Sequence, residues 1–296
     1  MRIVSLVPHA TELLFALGLG DQVVGVTHEC DYPDEARDRA QVTRDVLAPG
    51  LTPGAIDAAV RARTATGESI YELDDEIVRE LEPDLIVTQA LCHVCAVAVD
   101  EVRALAQTLP GPPRVISLDP TTYGETLGDV RTIARATNAK DAALDLIART
   151  ARRADVVRLA VRGAPRPRVA ALEWLDPAFV AGHWTPQLIE MAGGEDVLGF
   201  SGEPSREVTW EEVAAVQPEV VIVMPCGYDA ARALVEAEEF GERLRALGAD
   251  QIVAVNASAY FSRPGPRLID GLELLAHILH PDRVPQAPAE ALAVEL

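Results

Sequence analysis

The chain states one pattern twice, and that repetition limits its fold more than any other feature. Residues 76–92 read EIVRELEPDLIVTQALC and residues 211–226 read EEVAAVQPEVVIVMPC. Each segment is an acidic helix, a turn built on proline and an acid, a run of branched apolar residues, and a cysteine just past that run, Cys92 or Cys226. A strand that is apolar throughout needs cover on both faces, which a parallel sheet flanked by helices provides. The repeat therefore predicts two α/β lobes, and open α/β sheets hold ligands at the carboxyl ends of their strands, where both cysteines fall.

The remaining elements follow the same order twice. The first half predicts strand 2–7, helix 10–18, strand 22–26, an irregular insertion over 31–68, helix 74–81, strand 84–88, helix 96–108 and strand 114–118. The second half predicts strand 167–172, helix 185–192, strand 196–199, helix 209–216, strand 219–224, helix 230–246 and strand 251–255. Helix 266–279 closes the second half, and the stretch after Pro281 reads as a loose end. GLGDQVVGV at 18–26 parallels GGEDVLGF at 193–200, each following a helix that ends on glycine.

Between the halves, 122–163 carries apolar positions at Leu127, Val130, Ile133 and Ala134, then at Leu144, Ile147, Ala151, Val156 and Leu159. From Asn138, read as an N-cap, to Gly163, read as the glycine past a helix end, there is no proline, so one helix of about 25 residues and roughly 37 Å fits. A hinge would be shorter and richer in glycine, so little lobe closure is expected. The expected fold is α/β: two Rossmann-like α/β lobes joined by a long rigid backbone helix, with the ligand crevice between the lobes. The divisions are an N-terminal lobe over 1–121, a linker with the backbone helix over 122–163, and a C-terminal lobe and tail over 164–296.

Charge and cysteine usage narrow the chemistry. With 46 acidic against 26 basic residues and a formal net charge of −20, the surface disfavours nucleic acid and anionic membranes. No apolar run reaches the roughly eighteen residues of a membrane span, so no membrane insertion is expected. The opening MRIVSLVPH enters a strand without a secretory leader, which reads as a cytoplasmic location; a periplasmic or surface-anchored protein follows only if the start is truncated or misassigned. In a reducing compartment the C-x-x-C pair at 92–95 reads as a metal or redox site and not a disulfide.

The residues that carry chemistry lie in segments following predicted strands: Thr27–Pro33 with His28, Glu29 and Cys30; Gln89–Cys95 with Cys92, His93 and Cys95; Glu173–Pro177 with Trp174; Gly182–Trp184 with His183; and Pro225–Tyr228 with Cys226. Thiolates and imidazoles suit zinc and other soft to borderline ions, and four thiolates complete a tetrahedral shell, so Cys30, Cys92, Cys95 and Cys226 are the candidate metal ligands. Taken singly, each cysteine reads equally well as a small buried hydrophobe. The loop 256–267 mixes aromatics with arginines; Tyr260 and Arg263 are candidate ligand contacts, whereas Arg267 reads as an exposed helix entry. Tyr71, Trp174 and Trp184 are the other aromatics with a route to the crevice. His277 and His280, at a helix end, complement its dipole. A thiol-dependent enzyme would use Cys92 or Cys226 with His28 or His183 as base. No glycine-rich oxyanion loop, G-x-S-x-G or G-x-G-x-x-G accompanies them, so an enzyme is disfavoured and no catalytic residue is assigned.

The opening RIVSLVPHATELLFALGLGDQVVGVTHECDYP, the two repeated segments, the long central helix and the closing PGPRLIDGLELLAHILHP resemble the helical-backbone class of solute-binding proteins that serve ABC importers of cobalamin, iron-siderophores and heme. The resemblance spans roughly residues 1–281 and is strongest to the cobalamin-binding branch. It implies a corrinoid (cobalamin-like) or other metal-containing small molecule, with His28 or His183 as an axial imidazole and an ABC permease as partner if the protein is exported. In the cobalamin-binding branch a surface glutamate on each lobe, seven residues before the proline of the repeat, docks onto permease arginines. Glu76 before Pro83 and Glu211 before Pro218 hold those places. An acid in a helix's first turn is also favoured by the macrodipole, and Thr209 with Glu212 forms a capping box. The cysteine loops depart from the branch, leaving a zinc-type site without organic ligand, or a thiol enzyme, as the alternatives.

Overall fold

The computed structural model describes residues 1–296 apart from 49, 67–68, 92–96, 286–290 and 295–296. The chain divides into two compact units, Met1–Pro120 with Leu127–Ile147, and Thr121–Thr126 with Ala148–Leu296.

The first unit runs β1 (Ile3–Ser5), α1 (Pro8–Ala16), β2 (Val23–Val26), β3 (Ala40–Gln41), β4 (Thr43–Asp45), α2 (Pro53–Ala65), β5 (Tyr71–Leu73), α3 (Asp75–Glu80), β6 (Leu85–Thr88), α4 (Val99–Thr108) and β7 (Arg114–Ser117). Its main sheet has the order β3-β2-β1-β6-β7, and every pairing in it is parallel. Leu85 and Val87 of β6 pack with Ile3, Leu14 and Ile133 on one face, while Ile86 packs with Val4, Val102 and Leu105 on the other. Both faces are covered, which is why β6 is apolar throughout instead of alternating.

The insertion expected to be irregular over 31–68 holds β3, β4 and α2. The two strands are too short to show a period of two, and the apolar stripe of α2 is built mostly from alanine, so no helical period stands out. The helix starts where Thr52 accepts a hydrogen bond from the Ala55 amide and proline follows. β4 and β5 form a separate antiparallel ribbon with Asp45 opposite Tyr71.

The helix expected between Asn138 and Gly163 is α6 (Lys140–Ala160), and a separate helix, α5 (Tyr123–Thr137), precedes it. Asn138 lies at φ 58, and the Ala139 amide donates to the Ala134 carbonyl at 3.0 Å. That is the closing bond of a Schellman turn, so Asn138 ends α5 instead of capping α6; asparagine serves both purposes, and only geometry separates them. Asn138→Gly should leave stability unchanged or slightly raised, whereas Asn138→Ala should lower it by about 1 kcal/mol, read from chemical denaturation midpoints.

The second unit runs β8 (Arg168–Leu175), β9 (Ala178–Val180), α7 (Thr185–Met191), β10 (Glu195–Asp196), β11 (Arg206–Glu207), α8 (Trp210–Ala215), β12 (Val220–Val223), α9 (Ala230–Glu239), α10 (Gly241–Ala246), β13 (Gln251–Val255), α11 (Ala257–Tyr260), α12 (Leu268–Leu279) and β14 (Ala291–Ala293). The sheet order is β11-β9-β8-β12-β13-β14, with β10 also beside β8. The pairings of β8, β10, β12 and β13 are parallel, while β9, β11 and β14 join antiparallel. Three expectations are corrected here. Glu173 and Trp174, placed in a loop, belong to β8, because β9 folds back on it and extends its ladder. Helix 230–246 breaks at Phe240 into α9 and α10. The stretch after Pro281 is not wholly loose, since Ala291–Ala293 pairs with β13.

The repeat is matched by a clasp in each unit. The Arg2 amide donates to Asp84 Oδ2 at 2.7 Å, and Arg2 Nε donates to the Leu81 carbonyl at 2.6 Å. In the second unit the Arg168 amide donates to Glu219 Oε2 at 2.8 Å, and Arg168 Nε to the Val216 carbonyl at 3.2 Å. Each arginine satisfies a helix-end carbonyl that has no partner within its helix. The residues before the two prolines, Glu82 and Gln217, share a left-handed φ of 41 and 45.

Candidate functional site

In the first unit the loop after β2 is held by the β4–β5 ribbon. The His28 amide donates to Thr43 Oγ1 at 3.2 Å, and His28 Nδ1 lies 2.8 Å from the same oxygen. The His28 and Tyr71 rings are 5.2 Å apart at 54°, and the Tyr71 hydroxyl donates to Glu29 Oε1 at 2.8 Å. His28 and Glu29 of one segment and Tyr71 of another thus form one half-buried group. With Nδ1 engaged by Thr43, Nε2 is the atom of His28 that an outside metal would take.

The four cysteines divide differently from the expectation of one cluster. Cys30 is buried in the core of the first unit, its Sγ 3.0 Å from Thr11 Oγ1 and 3.1 Å from Thr27 Oγ1. Two hydroxyls and apolar neighbours make that the setting of a small structural residue. Cys92 and Cys95, with His93 between them, lie outside the described residues. Cys226 is exposed, and its amide donates to the Glu173 carbonyl. Among the described residues, no group of three or more His, Cys, Asp or Glu side chains is arranged to hold a metal ion.

In the second unit the ends of β8 and β12 carry an aromatic pair. The Trp174 ring meets Tyr228 edge-on, 5.6 Å between centroids at 66°, and Trp174 Nε1 donates to the Asp176 carbonyl at 3.0 Å. Behind Tyr228, the Arg232 guanidinium carbon lies 3.6 Å from the ring centroid, and Arg232 donates to the tyrosine hydroxyl at 2.9 Å. Sequence reasoning placed Tyr228 in a candidate loop without giving it a role and missed Arg232. The available signal was an arginine four residues past a tyrosine, with Asp229 between them as the N-cap of α9. The Ser258 amide donates to the Tyr228 carbonyl at 3.0 Å and Gly227 donates to Ser262 Oγ at 3.4 Å, so the loops after β12 and β13 support each other. Tyr260, at the end of the short helix α11 that stands within the segment expected as a loop, and Arg263 just past it are half-buried, with the Arg267 guanidinium 5.9 Å from the Tyr260 ring.

His183 occupies a left-handed backbone position at φ 53. Its amide donates to the Glu203 carbonyl at 2.6 Å, and its carbonyl accepts from Gly202 at 2.9 Å. Burial holds its imidazole below the ordinary histidine value, so the ring is neutral at neutral pH and has a lone pair to offer. Trp184 takes a different place from the one expected. It is buried, its Nε1 donates to the Phe261 carbonyl at 2.7 Å, and it fastens the 256–263 loop instead of offering a face. His277 and His280 each lie within hydrogen-bond distance of a backbone carbonyl, of Val284 and Gly193.

Glu76 and Glu211 are exposed in the first turns of α3 and α8. Neither serves its cap: Asp74 accepts from the Ile77 amide, and Thr209 with Glu212 closes a capping box. Both carboxylates are therefore left at the surface without a capping duty.

Residues 3–259 match the family described as periplasmic binding protein. Over 288 residues the chain is 24% identical to the vitamin B12-binding protein of Vibrio cholerae serotype O1, covering 92% of this chain and 86% of that one. Two solved structures have the same fold. The periplasmic vitamin B12 binding protein of Vibrio cholerae has a TM-score of 0.66 at 24% identity over 94% of this chain and 96% of that chain. The apo periplasmic heme-binding protein of Roseiflexus sp. RS-1 has 0.66 at 24% over 96% and 98%.

Proposed function

This chain belongs to the periplasmic binding protein family, a family of solute-binding proteins and not of enzymes, and we propose that its solute is a corrinoid of the cobalamin type. One observation carries the reading: the likeness to a vitamin B12-binding protein runs through 92% of the chain. The residues that each unit, taken by itself, carries at its strand ends and in the β4–β5 ribbon suit such a ligand. A corrinoid presents a broad apolar face, a polar rim and a metal with axial positions. Tyr71, Trp174 and Tyr260 supply flat apolar surface, Glu29 and Arg263 supply polar handles, and His28 or His183 supplies the imidazole.

Heme is the second reading, favoured by the His28–Tyr71 pair, since imidazole and phenolate both ligate heme iron. A zinc-type ion on cysteine thiolates is the third, resting on the sequence spacing of the C-x-x-C pair Cys92 and Cys95, which lies outside the described residues. Handing the solute to an ABC permease is the partner role proposed, with Glu76 and Glu211 as the docking carboxylates. Cell fractionation of the native gene product separates an exported receptor from a cytoplasmic carrier.

Titration of the purified protein with hydroxocobalamin, hemin and zinc, followed by visible absorption and heat, decides among the ligands. A saturable one-site response to hydroxocobalamin with a shifted visible band is expected. No heat and no band shift with cobalamin sinks the corrinoid reading, and saturation by hemin in the same series transfers it to heme. Stoichiometric zinc bound in preference to either macrocycle would favour the thiolate site.

A further inference from the structure

Helix α9 carries a buried carboxyl that no part of the fold explains. Glu236 is 4% exposed, and among the described residues neither of its oxygens has a hydrogen-bond partner. Burying a carboxylate without partners is costly, so such a group stays protonated or is retained for a reason other than packing. One turn before it on the same face stands Arg232, whose guanidinium is committed to Tyr228 and not to Glu236. Among the described residues, the charges acting on Glu236 are Arg232 and Glu239 on its own helix and Asp176 in the turn after β8. Tyr228, after β12, feels Glu236, Arg232 and Glu239 in turn. The strands packed on α9, β12, β13 and β14, have no titratable side chain, and α10, also packed on it, carries Glu242, Arg243 and Arg245.

Two of those neighbours are the residues that hold the aromatic pair. Arg232 lies on Tyr228, and the Asp176 carbonyl takes the Trp174 indole N–H. We propose that Glu236 is a proton-binding positioning residue for Tyr228 and the Trp174 ring that meets it edge-on: neutral, it leaves Arg232 on Tyr228, and ionised, it draws the guanidinium along α9 off that ring and loosens the pair. Guanidinium and carboxyl are one helical turn apart, within reach of a rotamer change and without backbone motion. Burial, partly offset by Arg232, raises the Glu236 carboxyl to about 7, so the switch falls in the neutral range. This inference rests on Trp174 being a ligand contact only where it speaks of affinity; the loosening itself does not.

The test is a pH titration of the fluorescence of the ligand-free full chain from about pH 5 to about pH 9, with Trp174→Phe identifying the contribution of Trp174. One transition near neutrality is expected in the wild type. Glu236→Gln should lack it and keep the low-pH signal throughout, and Arg232→Met should lack it too. Glu236→Asp, which keeps the titrating group, should restore a transition. A further sign follows from linkage. The unfolded chain releases this proton near the ordinary glutamate value of 4.5 and the folded chain only near 7, so stability falls as pH rises through that window. Glu236→Gln should therefore melt higher than wild type at about pH 8 and equally at about pH 4. A Trp174 transition that persists in Glu236→Gln, or its absence from the wild type, overturns the proposal. Hydroxocobalamin affinity about 3- to 10-fold weaker at the higher pH in wild type, and flat in Glu236→Gln, is the expected companion result. A fluorescence switch abolished by Glu236→Gln in a protein that binds no cobalamin at any pH supports the positioning pair and refutes only the corrinoid reading.

Discussion

Gly182→Ala lowers stability by about 3 kcal/mol and moves the thermal midpoint down by roughly 6–12 °C. A Cβ at this position would stand 2.4 Å from the Ser205 amide nitrogen, 2.5 Å from the Glu203 carbonyl oxygen and 2.6 Å from the Pro204 carbonyl carbon. All three are backbone atoms, so no rotamer change relieves the overlap. The segment 199–205 must move, and with it the bonds from His183 to Glu203 and from Gly202 to His183. The loss is accordingly both thermal and functional, and the variant should bind its ligand more weakly even at temperatures where it is folded. Gly18→Ala is the matched control. It has open space around its Cβ and a left-handed φ of 72, so it carries only the backbone strain of about 1 kcal/mol. Differential scanning calorimetry of the two variants checks the prediction; equal shifts would refute the steric account.

If the solute is a corrinoid as proposed, His183→Ala is expected to weaken hydroxocobalamin binding by about 10- to 100-fold and to abolish the band shift that accompanies replacement of an axial ligand. His28→Ala leaves that shift in place. The choice between the two imidazoles follows from their settings. His183 is kept neutral by burial and held by backbone bonds on both its amide and its carbonyl, so its ring is available without first losing a proton. Only the neutral ring can ligate, and protons compete with the metal for it. Because the folded value lies below the ordinary 6.5, protonation of this ring should cost affinity only below about pH 6.5, a fall read in the Glu236→Gln background, where the separate change near neutrality is absent. Absorption titrations down through that pH read both points. A band shift lost in His28→Ala and kept in His183→Ala would move the metal contact to the first unit.

The parts of the fold that were legible in the sequence are those whose cause is local. A run such as LIVT or VVIV is buried on both faces, and Thr209 with Glu212 caps α8 through residues three apart. What escaped depends on partners far along the chain. Trp174 looks like a loop residue because Glu173 precedes it and Asp176 and Pro177 follow; β9 extends the strand through it by pairing. Cys30 and Cys226 both follow predicted strands, yet one is enclosed by Thr11, Thr27 and the core while the other is exposed. Of the candidate site, His28, Glu29 and Tyr71 come together as a group through a ribbon that sequence periodicity could not reveal. Tyr228 and Arg232 were passed over because one belongs to a loop and the other to a helix, and the stacking exists only across that joint.

The paired clasps at Arg2 and Arg168 sit where their sheets begin, at the amino ends of β1 and β8. The residues proposed to meet the solute sit at the other ends of the strands. Fastening and chemistry are thus separated by the length of a strand, and neither shares a side chain with the other. A lineage carrying such a scaffold can exchange its aromatics, histidines or cysteines without reopening the joints that keep the strands in register. Change of cargo becomes a matter of altering a rim while the hub stays closed, and drift at the rim is tolerated because its failures are failures of taste and not of folding.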